Sequence, residues 1–200
     1  MSELLAFAEL GLRHITDVDG ADHILFLLVL AAVYRLREWR EGLWVVTAFT
    51  IGHSVTLALA VMGALRLPPE LIEFLIPVTI VATGVENVVV RERGRALWRG
   101  RYRVVFAGVF GLVHGAGFAT YLRALFVDRV ALPLLGFNLG IEVGQVAVLV
   151  AAGLGFALVD AGLARLRRPD GWMPTRMRTV AVSTAVTLVA VRWAVERSPW

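Results

Sequence analysis

Long apolar runs separated by short arginine clusters dominate this chain and leave few ways to fold it. A run of about 20 apolar residues is the length a helix needs to cross a bilayer. In hydrocarbon every backbone N–H and C=O must be bonded within the protein, and a helix does this within one segment. The alternating polar and apolar pattern of a barrel strand is absent. The expected fold is therefore all-α: a polytopic membrane helix bundle, with residues 1–200 as a single integral membrane domain. Six spans are expected, at roughly 14–36, 43–65, 71–90, 104–126, 132–159 and 179–194.

Composition agrees. Hydrophobic residues make up 58% of the chain and the mean hydropathy is +0.73, above the roughly 45–50% apolar content of soluble domains. With 0 cysteines, disulfides, thiolate ligands and cysteine nucleophiles are excluded. The net charge of +4 comes from arginine alone, since there is no lysine. These arginines sit between apolar runs and not on a basic face with interleaved aromatics, so nucleic acid is not an expected partner. The expected partners are the lipid bilayer and a metal ion, with homo-oligomerisation left open.

The arginines also predict orientation. The first loop holds Arg35, Arg37 and Arg40; the third Arg91, Arg93, Arg95, Arg99, Arg101 and Arg103; the fifth Arg165, Arg167, Arg168, Arg176 and Arg178. The second loop offers only Arg66, and the fourth Arg129 with nearby Arg123. The positive-inside rule puts the Arg-rich loops in the cytoplasm, and both termini then face outward across the cell's inner membrane. Met1 to Leu12 lacks the basic start and the cleavage site of a signal peptide.

Ionisable groups inside membrane spans are costly and usually face the bundle interior. All four histidines, His14, His23, His53 and His114, lie in or beside expected spans, and Glu142 is well inside the fifth. Asn138, Glu142 and Gln145 share one helix face. Glu86 and Asn87 lie toward the cytoplasmic end of the third span, and Ser54 adjoins His53. Imidazole and carboxylate are ligands that suit nickel, cobalt, zinc or copper(II). The expected metal ligands are His14, Asp22, His23, His53, His114 and Glu142, supported by Asp17, Asp19, Ser54, Glu86, Asn87, Asn138 and Gln145. A single hydroxyl or amide among these serves equally well as glue between helices.

The segment from His14 to His23 is expected at the outer end of the first span. There it would gather a divalent cation before entry, or else serve only as a solvated helix start. Asp17, Asp19 and Gly20 suggest a broken or capped helix in this segment. It is not an EF-hand loop, because the downstream Glu is missing. Pro77 is expected to kink the third span. Phe49 and His53 share a spacing with Phe110 and His114, a match of two residues that chance explains.

Several longer motifs are more specific. They are His14-Ile15 with Gly20-Ala-Asp22-His23-Ile-Leu-Phe-Leu-Leu28, and Thr47-Ala-Phe-Thr-Ile-Gly-His53-Ser-Val-Thr-Leu57. They continue with Val85-Glu86-Asn87, Phe110-Gly-Leu-Val-His114-Gly-Ala-Gly-Phe118 and Phe137-Asn138-Leu-Gly-Ile-Glu142-Val-Gly-Gln145. In these residues, from about Gly11 to Asp160, the chain resembles the second branch of the HupE/UreJ membrane proteins. That group is linked to hydrogenase and urease accessory proteins, and the resemblance implies import of nickel or cobalt. The Asp22-His23 pair is also similar to the signature of nickel–cobalt permeases, although His14 stands farther from the pair than in that signature.

The expected function is transport of a divalent transition metal, nickel or cobalt, through a His/Asp/Glu-lined intramembrane site. No enzyme activity and no organic cofactor are expected; the ion (Ni, Co or Zn) is cargo or a bound ligand. No P-loop is present to supply ATP chemistry. The alternatives are an intramembrane zinc hydrolase, with an imidazole-held Zn²⁺ activating water, and a membrane sensor or scaffold that transports nothing.

Overall fold

In a computed structural model the described residues are 2–18, 20–90, 101–125, 131–165 and 173–200. They form seven α-helices: α1 Glu3–Thr16, α2 Asp22–Ala31, α3 Trp39–Val61, α4 Pro69–Val89, α5 Tyr102–Leu125, α6 Ala131–Arg165 and α7 Pro174–Glu196. A 3-10 turn, Leu36–Glu38, leads into α3. Among the described residues there is no strand. Four helical stretches, Leu36–Val61, Pro69–Val89, Ala131–Arg165 and Pro174–Glu196, are long and apolar enough to cross a membrane. Asp22–Ala31 and Tyr102–Phe118 are shorter apolar helices. The exposed side chains fit that setting: α6 presents Leu139, Val143, Val150, Leu154 and Leu158 outward, where lipid would cover them.

Local signals place the helix ends. Pro69 and Pro174 open α4 and α7, where a missing N–H costs nothing. Gly63, at φ 76°, follows α3 and lets the Ala64 N–H reach back to the Leu59 carbonyl at 2.9 Å. The helix α4 runs unbroken through Pro77.

The first expected span, 14–36, is not one helix. The residues before it belong to α1, the chain leaves helical geometry at Asp17 (φ −66°, ψ 122°), and α2 begins at Asp22. Asp17 and Gly20 are poor helix-interior residues, so the break falls where the chain is weakest.

Glycines set the helix pairs. α1 lies against α6, α3 against α5 and α4 against α7. A side chain at Gly111 or Gly115 would collide with the Phe49 or His53 carbonyl, and one at Gly52 with the Gly108 carbonyl. α3 and α5 therefore run parallel with their backbones in contact. Gly136 and Gly140 meet the Leu4 and Ala8 carbonyls in the same way, which makes α1 parallel to α6. α4 and α7 are antiparallel: Gly84 and Asn87 face Ser183, while Phe74 meets Trp200.

Candidate metal centre

The four histidines come from four helices and meet inside the bundle. His14 ends up near the close of α1, His23 in the first turn of α2, His53 in α3 and His114 at the middle of α5. Ring centroids lie 4.6 Å apart for His14 and His23, 6.1 Å for His14 and His53, 6.0 Å for His23 and His53, and 5.1 Å for His23 and His114. One ring nitrogen from each of His14, His23 and His53 lies within 4.8 Å of the other two. The close packing of α3 on α5 sets the His53 backbone against Gly115, the neighbour of His114 in the chain.

The ring nitrogens are short of partners. His14 Nε2, His23 Nε2, both nitrogens of His53 and His114 Nδ1 are buried with no hydrogen bond. Buried polar atoms are normally paired, so five orphans in one cluster point to a ligand. His114 Nε2 lies 2.9 Å from the Thr79 hydroxyl, whose single proton goes to the Ile76 carbonyl at 2.7 Å. The imidazole must then donate from Nε2, which leaves a lone pair on Nδ1. Aromatic rings insulate the cluster: Phe118 lies 4.0 Å from His14, while Phe49 and Phe26 lie 5.0 and 5.3 Å from His114. An apolar shell of this kind excludes water and strengthens whatever the nitrogens bind.

Two expectations about position change. The His14–His23 segment is not an outer antechamber; its rings touch those of His53 and His114, so the four form one group. Carboxylates are absent from that group among the described residues. Asp22 points to Arg197, at 3.1 and 3.2 Å. Glu142 accepts from the Thr47 hydroxyl at 2.9 Å, and Gln145 Oε1 from Thr50 at 2.6 Å, so this face of α6 docks on α3.

The other expected polar residues are spread over the bundle. Ser54 donates to the Thr50 carbonyl, and the Asn138 Oδ1 is buried without a partner. Asn87 donates to the Val29 carbonyl and to Ser183, tying α4 to α2 and α7. Glu86 pairs with Arg103 and accepts from Tyr102. Asp17 shares with His14, Arg13 and Phe118 an open cavity of about 520 Å³ that reaches the cluster. Asp19 lies outside the described residues, as do Arg91, Arg93, Arg95, Arg99, Arg129, Arg167 and Arg168. Sequence reasoning missed Thr79, Phe26 and Phe118; only the spacing of Thr79 and Thr83 before Glu86 hinted that α4 has a polar face.

A family model described as HupE / UreJ protein matches residues 1–197. The chain belongs to the HupE/UreJ family. Membership and the apolar helices together make it a membrane protein. The family is associated with nickel or cobalt transport and with urease and hydrogenase maturation. Neither the curated proteins nor the solved structures include a match to this chain.

Proposed function

We propose that this HupE/UreJ protein is a permease for a divalent transition-metal ion, nickel or cobalt, and that the ion passes through the four-histidine cluster. One observation carries the reading: imidazoles from four helices converge, with five nitrogens buried and unpaired. Neutral imidazole suits nickel, cobalt, zinc and copper ions better than magnesium or calcium. His14, His23 and His53 form the principal ligand set, with His114 as a fourth donor held by Thr79. Cation entry is by the cavity at His14 and Asp17. Both termini face the outside and the Arg-rich loops face the cytoplasm. The membrane potential, worth about 2.3 kcal/mol per charge at 100 mV, would drive a cation inward without ATP.

The test is uptake of Co²⁺ or Ni²⁺ into proteoliposomes. Wild type should accumulate the ion, and a His53→Ala/His114→Ala double variant at matched incorporation should not. Equal uptake by the two would refute this site. Hydrolysis by a protein that retains stoichiometric zinc through dialysis, without uptake, would favour an intramembrane enzyme instead.

A further inference from the structure

α4 carries a line of polar groups that leads away from the histidines. Thr79, Thr83 and Glu86 share one helix face. Thr79 touches His114 Nε2 at 2.9 Å. Thr83 and Glu86 line a cavity of about 150 Å³ whose other walls include Phe26, Leu30, Phe106 and Phe110. The ring of Phe26 is 5.3 Å from His114, and the same side chain walls the cavity, so it stands between the two. At the far end the Glu86 carboxylate receives the Arg103 guanidinium and the Tyr102 hydroxyl. Glu86 lies in the last turn of α4, and its side chain is 23% exposed. This cavity and the one at His14 approach the cluster from opposite ends of α5: Phe118 follows His114, whereas Phe110, Arg103 and Tyr102 precede it.

We infer that this face of α4 is the release route of the ion, with Phe26 as its gate and Glu86 as a second cation ligand that Arg103 covers between passages. The inference rests on the permease reading above. Donor chemistry gives it a direction. The ion leaves imidazole nitrogens for hydroxyl and carboxylate oxygens, which hold nickel or cobalt less tightly, and conduction needs a last site that lets go. A buried ion pair is weak evidence for stability alone, since apolar residues often replace one without loss. Here the pair does something an apolar pair cannot. The arriving cation competes with Arg103 for Glu86, and the guanidinium returns once the ion has left.

The test compares Co²⁺ binding in detergent, read from the visible absorption of the bound ion, with Co²⁺ uptake into proteoliposomes. Glu86→Gln and Thr83→Val should bind within about twofold of wild type while uptake falls about tenfold. Phe26→Ala should raise the rate of uptake per bound Co²⁺, even though losing its ring from the apolar shell weakens binding. Wild-type uptake by both Glu86→Gln and Thr83→Val would overturn the route and leave the histidine site standing. If Glu86→Gln disturbs the fold and loses Co²⁺ binding, Thr83→Val decides, because it keeps the volume and removes only the hydroxyl. Absence of uptake by the wild type would overturn the permease reading and this route together.

Discussion

His14 and His23 stand on either side of a break between two helices, yet their ring centroids are 4.6 Å apart. In an unbroken helix they would be separated by roughly 13 Å along the axis, at about 1.5 Å per residue. The interruption between Thr16 and Asp22 is therefore what makes them neighbours. Discontinuous helices of this kind are how many transporters bring ion ligands together within the membrane.

Ligand number sets the first prediction. His23→Ala or His53→Ala should weaken Co²⁺ binding by more than about 100-fold, beyond the roughly 10–100-fold typical of losing a residue that only orients a ligand. Thr79→Val, which releases His114 Nε2, should fall within that smaller range, and Thr56→Ala should have little effect. Titration in detergent reads all four. A Thr56→Ala loss matching that of His53→Ala would mean that the histidines act through packing.

Protons compete with the metal for the same lone pairs. A protonated imidazole cannot ligate, so Co²⁺ uptake should decline as the medium is made acidic. Uptake that rises with acidity would contradict imidazole ligation.

The parts of this architecture that could be read from sequence are those written in local pattern. The apolar runs of α3, α4 and α6 announce themselves by length, and His53, His114 and Glu142 by their cost in hydrocarbon, whereas α7 spans Pro174–Glu196 and its expected run, 179–194, is short and interrupted by Arg192. What the sequence hides is rotation and depth. Glu142 and His53 look equivalent as polar residues in spans, yet Glu142 turns to Thr47 on α3 while His53 turns into the cluster. Asp22 adjoins His23 in the chain, but successive residues of a helix point about 100° apart, and Asp22 reaches Arg197 instead. The depth of His14 depends on how α1 lies along α6, a contact between residues far apart in sequence.

Glycine packing predicts a contrast in stability. Gly111→Ala would push a methyl group into the Phe49 carbonyl and force α3 and α5 apart. It should destabilise the detergent-solubilised protein by about 1–3 kcal/mol, the usual cost of overpacking. Gly155→Ala meets open space and should be neutral or slightly stabilising, since alanine is favoured over glycine in a helix by roughly 0.5–1 kcal/mol. Thermal unfolding of the two variants checks this; equal shifts would mean that α3 and α5 do not touch over Gly111.

Topology can be tested on a clean background, because the chain has 0 cysteines. A thiol at Arg37→Cys, in the first Arg-rich loop, should resist membrane-impermeant maleimide in intact cells and react after permeabilisation. Ready labelling in intact cells would invert the bundle and with it the direction of the proposed route.

The floor of α2 is held from α7. α2 has 10 residues, too few to hold its shape alone. Its C-terminal carbonyls are capped from α7. Arg178 donates to the Ala32 and Tyr34 carbonyls at 3.2 and 3.1 Å, and Thr179 donates to Ala32 at 2.7 Å. Arg178 is itself fixed by Asp160 at 2.7 Å. Cationic groups at a helix C-terminus satisfy its orphan carbonyls and complement its dipole. Arg178→Met removes the cap and leaves a partly buried Asp160 unpaired, which should cost about 3 kcal/mol. A double variant, Arg178→Met/Asp160→Leu, should recover part of that loss, because no carboxylate is then stranded. Because α2 also carries His23, both variants should bind Co²⁺ more weakly than wild type, although neither residue is placed among the ligands. Unfolding in detergent and Co²⁺ titration separate the two effects. Full recovery of affinity in the double variant would show that the cap on α2 does not position His23.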